Sequence, residues 1–113
     1  MNLSDIQKQA YETATEKGFH DSDCEPITSR RAFPGHLIGR MFTHEKLMLI
    51  VTEVAEATEA VRHRDFENFQ EELADIIIRV ADMAEMFAID LELAVIRKMK
   101  KNKKRKFKHG KAC

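Results

Sequence analysis

A chain of 113 residues with 43% apolar and 34% charged content can build one domain around a single core, but not two. Its 19 basic and 19 acidic side chains cancel only in total: residues 1–96 carry nine basic against nineteen acidic, a balance of −10, and residues 97–113 carry ten basic and no acidic, a balance of +10. Several classes are excluded. The longest apolar run, Leu47 to Val51, is far shorter than the roughly 20 residues that span a bilayer. Cys24 and Cys113 make neither a disulfide framework nor a C-x-x-C metal knuckle. Four glycines, two prolines and no tryptophan argue against a sandwich or barrel. A single all-α domain over 1–113 is expected, cytoplasmic because the N-terminus shows no basic segment followed by an apolar one.

Ser4 with Gln7 three residues later reads as a capping box, and Gly18 as a left-handed C-terminal cap, so the first helix is expected over about 5–17. From Gly18 to Gly35 the chain carries Asp21, Ser22, Asp23, Pro26 and Pro34 without periodicity, which predicts a loop or lid over 18–35. A second helix begins between His36 and Thr43 and continues through Arg62, its core stripe being Leu47, Ile50, Val51, Val54, Thr58 and Val61. Asp65 caps a third helix over about 66–88, with Phe69, Leu73, Ile76, Ile77, Val80, Ala84 and Phe87 as its core stripe. Asp90 caps a fourth, whose apolar face of Leu91, Ala94 and Val95 gives way to the basic tail 97–113.

The acids carry the chemistry. On the second helix the face opposite the core stripe reads Leu49, Glu53, Glu56, Ala60, a second seam with two carboxylates in its middle. The third helix repeats this with Glu72, Asp75, Arg79, Asp82 and Met86. If the two pack as an antiparallel hairpin across Arg62 to Phe66, then Glu53, Glu56, Glu72 and Asp75 share one pocket. Four like charges in a partly dry site must protonate or bind a cation. Oxygen ligands without histidine or cysteine suit Mg²⁺ or Mn²⁺ and not Zn²⁺. Magnesium held by few carboxylates keeps positions for water and substrate phosphates, which points to phosphoanhydride hydrolysis.

An E-x-x-E on a charged helix is more often a solvated face held by i, i+4 ion pairs. Neither Glu53 nor Glu56 has a basic residue three or four places away, whereas Asp75 has Arg79 four after it, which can neutralise it within the helix. Continuing the last apolar stripe lands on Lys98, Asn102 and Arg105, groups suited to phosphate oxygens, although ten cations in seventeen residues put one on every face. An alternative is a non-enzymatic helical module that binds nucleic acid through the basic C-terminal tail. Against it stand a single tail aromatic, Phe107, and a body that repels phosphates. A helical adaptor would explain the stripes but not the acids. His20, Cys24 and His36 match no zinc spacing and read as surface histidines and a free thiol.

The string from Lys46 through Glu53 and Glu56 to Ala57, followed by Glu71-Glu72-Leu-Ala-Asp75-Ile, resembles the MazG-like all-α nucleoside triphosphate pyrophosphohydrolases. The family's E-x-x-E, spacer, E-x-x-D pattern falls on Glu53, Glu56, Glu72 and Asp75 with a spacer over 57–71. Its tail pattern is matched by Lys98, Asn102, Arg105 and His109-Gly110-Lys111, and Glu16-Lys17-Gly18-Phe19 is similar to its opening, with His20 where a tryptophan is common. The resemblance implies a four-helix bundle completed by oligomerisation to a homodimer or homotetramer. It also implies hydrolysis of a nucleoside triphosphate between the α and β phosphates to monophosphate and pyrophosphate, with Mg²⁺ held by the four acids. One of them, with Glu56 a candidate, would orient or deprotonate the attacking water, and Lys98, Asn102 and Arg105 would bind substrate phosphates.

Overall fold

The computed structural model describes residues 1–20 and 37–105, and of residues 37 and 38 only the backbone. Most of the expected lid, with Cys24 and His36, and the closing His109-Gly110-Lys111 and Cys113 lie outside the described residues. Among those described, the fold is all-α, as expected: α1 (Leu3–Glu16), α2 (Leu37–Arg62), α3 (Phe66–Met86) and α4 (Leu91–Lys103).

The helix ends follow from short polar side chains and three left-handed residues. Asp65 accepts from the Asn68 amide at 3.0 Å and Asp90 from the Leu93 amide at 3.1 Å, as expected of N-caps. At α1 the box sits two residues earlier than expected. Asn2 accepts from the Asp5 amide at 2.9 Å while the Asp5 carboxylate accepts from the Asn2 amide at 3.1 Å, so Ser4 and Gln7 lie inside the helix. Gly18 takes φ 83°, with the Phe19 amide donating to the Ala14 carbonyl and the Gly18 amide to Thr15, a Schellman end. Arg64 (φ 53°) and Ala88 (φ 55°) end α2 and α3 in the same way, without glycine's freedom from Cβ strain.

The central helix is α3. It lies along α2 as the expected hairpin and along α1, and α4 leans on α1. Gln7, buried in α1, clasps the α3 to α4 turn. Its amide nitrogen donates to the Glu85 carboxylate at 2.9 Å and to the Ile89 carbonyl, and its oxygen accepts from the Leu91 amide.

The faces are the main correction to the sequence reading. The expected core stripe of α2 and the first half of that of α3 point outward: Val51 is 52% and Val61 61% exposed, and Leu47, Val54, Leu73 and Ile77 are exposed with them, whereas Ala84 and Phe87 at the end of the α3 stripe are buried as expected. The buried set among the described residues is Ala10, Ala57, Ala60, Ala81, Ala84, Met86 and Phe87, together with Gln7, His20, Glu53 and Glu72. Alanines let the helix axes approach closely, so the weaker apolar face closes the chain's own core. Periodicity identifies a surface that must be dried but not the molecule that dries it. For the same reason Ala60 and Met86, on the second seams of these helices, are covered by the chain itself. No described helix is long and apolar enough to cross a membrane.

Candidate active site

The α2/α3 hairpin sets the acids against one another. Glu53 and Glu56 are one turn apart on α2, Glu72 faces them from α3, and one carboxylate oxygen from each lies within 4.8 Å of the others. Glu53 and Glu72 are buried at 7% and 8% exposure, and Glu56 stands at the exposed rim. Asp75, one turn beyond Glu72, is exposed and falls outside this trio. It lines the adjoining cleft instead.

Arg79 does not neutralise Asp75 within the helix. Its Nε donates to Glu53 Oε1 across the hairpin at 2.8 Å. That guanidinium is the main reason the Glu53 carboxyl lies below its ordinary range, against the opposing effect of burial. Glu72 has no such partner. Burial, and after it the neighbouring Glu53 and Glu56, push its carboxyl up to about 7, and its Oε2 is buried with no hydrogen-bond partner. A buried acceptor without a donor, in a cluster of three acids, is what a hard divalent cation or a proton satisfies. The donor set therefore fits Mg²⁺ or Mn²⁺.

A cleft of about 280 Å³ opens beside the trio between α1, α2 and α3. Its floor is largely apolar, and Lys17, Phe19, Lys46, Asp75, Arg79 and Asp82 supply its wall and rim. Lys46 Nζ donates to the Phe19 carbonyl at 2.9 Å and lies 5.1 Å from the centre of the Phe42 ring. His20 is not the surface histidine expected. It is buried, with Nε2 2.6 Å from Asp82 Oδ1 and its ring 4.6 Å from that of Tyr11.

With this geometry in place, one comparison is decisive: a family model for the MazG nucleotide pyrophosphohydrolase domain matches residues 42–109. The chain belongs to the MazG family. Neither the curated proteins nor the solved structures contain a match. MazG domains are nucleotide pyrophosphohydrolases and generally depend on a metal. The match spans the three clustered acids, Asp75, Arg79 and α4, whereas α1, Phe19 and His20 precede it.

The tail residues sit apart from this centre. Lys98 and Arg105 are exposed on and just after α4, and Asn102 is half-buried with an unpartnered Oδ1. None of the three is among the described residues that line the cleft. Sequence reasoning missed Arg79 as a partner of Glu53, although a signal existed. Glu53 has no cation three or four places away in its own helix, and the hairpin brings Arg79 to it. For the His20 and Asp82 pair no sequence signal was available beyond Asp82 sharing a face with Arg79.

Proposed function

We propose that this MazG protein hydrolyses a nucleoside triphosphate between its α and β phosphates, releasing a monophosphate and pyrophosphate, with Mg²⁺ or Mn²⁺ as cofactor. The observation that carries this reading is the buried, unpartnered Glu72 Oε2 within the Glu53, Glu56 and Glu72 cluster. These three acids would hold the cation, with Asp75 as the fourth carboxylate one turn along α3. When bound, the cation would neutralise polyphosphate charge and lower the barrier to generating hydroxide from water. Glu56, exposed at the rim, would orient an entering water and take its proton. Glu53, kept ionised by Arg79 in the cation-free protein, would meet the cation already charged, and Glu72 would give up its proton on holding it. The water oxygen forms one P–O bond, the bridging P–O bond breaks, and the bridging oxygen leaves with the other phosphate.

The exposed apolar face supports assembly. A wholly apolar groove of about 550 Å³, lined in part by Leu47, Ile50, Val80, Phe87 and Leu91, continues the exposed stripe of α2 and α3. A second copy, in a homodimer or homotetramer, would cover it. Lys98, Asn102 and Arg105, which do not line their own cleft, would then bind substrate phosphates at a neighbouring copy's site. Nucleoside triphosphates as substrates make the cytoplasm the expected compartment. The test is a nucleotide panel, canonical and modified, with Mg²⁺ and products resolved by ³¹P NMR. Monophosphate with pyrophosphate is expected. Diphosphate with orthophosphate would refute the assigned bond, and no turnover would favour a binding module.

A further inference from the structure

Arg79 is held in two ways. Its Nε lies 2.8 Å from Glu53 Oε1, its guanidinium carbon sits 6.0 Å from the centre of the Phe19 ring, and its side chain is 32% exposed into the cleft. Phe19 is itself anchored, because the next residue, His20, is buried against Asp82 on the same helix as Arg79. The aromatic face is thus a fixed rest on the cleft side of the guanidinium. Glu53 is also one of the three acids suited to a cation, so Arg79 and a divalent ion compete for the same carboxylate. Like charges a few ångströms apart repel strongly in a partly dry site, and the ion carries the larger charge. Displaced from Glu53, a guanidinium lining the cleft meets the polyphosphate of an entering nucleotide, onto which it can fork with two charge-assisted hydrogen bonds.

We propose that Arg79 exchanges partners, holding Glu53 in the cation-free protein and binding phosphate oxygens of the nucleotide in the loaded one. This inference rests on the nucleotide site proposed above. Arg79 is thereby both a counter-ion that restrains cation binding and a residue that binds substrate.

The test uses Arg79→Gln, which keeps an N–H donor and loses the charge, and Arg79→Lys, which keeps the charge and loses the fork. Calorimetric titration of the apo proteins with Mn²⁺ alone should show Arg79→Gln binding roughly tenfold more tightly than wild type, with Arg79→Lys near wild type. With Mg²⁺ and the best nucleoside triphosphate, KM should rise roughly ten- to hundredfold in Arg79→Gln and by less in Arg79→Lys. A folded Arg79→Gln with Mn²⁺ affinity equal to or below wild type overturns the exchange, because Arg79 would then only support Glu53. An unchanged KM overturns the phosphate role. If Arg79→Gln fails to fold, Arg79→Lys decides: a raised KM with wild-type Mn²⁺ affinity supports the proposal, and an unchanged KM rejects it. A wild-type protein that neither binds Mn²⁺ nor turns over nucleotide removes the proposed function as well, whereas normal wild-type behaviour with an indifferent Arg79→Gln removes this inference alone.

Discussion

Replacing Glu72 by glutamine removes the acid that titrates near neutrality, and the consequences can be worked through proton by proton. Glu72 has an ordinary value of 4.5 when unfolded and about 7 when folded, raised first by burial and then by Glu53 and Glu56. The folded state therefore keeps a proton that the unfolded chain releases, roughly one near pH 6 and about half of one at pH 7. Stability from this group is fully present below pH 4.5 and is lost as pH rises through about 7. Glu53 acts oppositely. Arg79 lowers its value, so its contribution is present above its ordinary 4.5 and is lost as pH falls through the lowered value.

Melting curves in EDTA at pH 6 and pH 8 should thus show wild type losing stability towards pH 8 more steeply than Glu72→Gln, the difference isolating Glu72 from the histidines. Mg²⁺ should reverse the wild-type loss, and by more at pH 8, where no proton competes. At a hundred times its dissociation constant it stabilises by about 2.7 kcal/mol. With unfolding entropy near 2.1 cal/mol/K per residue over 113 residues, that is about 11 °C in Tm. Glu72→Gln should lose most of this increment and its turnover. Equal pH slopes in the two proteins, with the same Mg²⁺ increment, would refute the cluster as the cation site.

Three further outcomes are expected. Gln7→Ala should cost about 2 to 4 kcal/mol in denaturant unfolding, since the Leu91 amide and Glu85 both lose their partner at a buried clasp. Ala88→Gly should stabilise by about 0.5 to 1 kcal/mol, relieving left-handed strain at φ 55° while leaving kcat and KM unchanged. Arg105→Ala should cut kcat/KM roughly ten- to hundredfold and Lys104→Ala far less, whereas equal effects would deny Arg105 a phosphate-binding role.

Local signals in the sequence were legible because each concerns one turn of chain. Asp65, Asp90 and Gly18 each satisfy backbone groups within a few residues, and the structure uses them as read. Even the misplaced box at α1 is a local competition, which Asn2 and Asp5 win over Ser4 and Gln7 because Gln7 has a better use 78 residues away, on Glu85. Partnerships between helices were legible only where a shortage announced them. Glu53 and Glu56 lacked neighbours of opposite charge, which drew attention to the acids but showed neither Asp75's place outside the trio nor Arg79's part in it. Asp75 shares a helix face with Glu72 and still stands outside the trio, because a three-residue step rotates the side chain by about 300° and leaves it nearer the cleft than Glu56. The facing of α2 and of the first half of α3 was not legible, since both faces carry helical periodicity, whereas Ala84 and Phe87 at the end of α3 are buried as read.

That inversion ties stability, assembly and chemistry together. The chain closes its own core with alanines, Met86, Phe87 and two buried glutamates, and among the described residues no large side chain is fully buried. The inward face thus supplies little hydrophobic free energy, and ionisation of its buried Glu72 opposes folding. The stronger apolar surface, from Leu47 and Val54 on α2 to Leu73 and Ile77 on α3, lies outside this core. Under the proposed function, cation binding acts on one face of the α2/α3 hairpin and assembly on the other. Each would stabilise the same pair of helices by mass action, so neither is independent of the other. A site whose ligands are held by a hairpin that is itself steadied by a second copy loses cation affinity when the copies separate. Dilution should therefore raise the apparent Mg²⁺ requirement of turnover, and a Mg²⁺ requirement independent of protein concentration across the dissociation range would show that the two faces are not coupled.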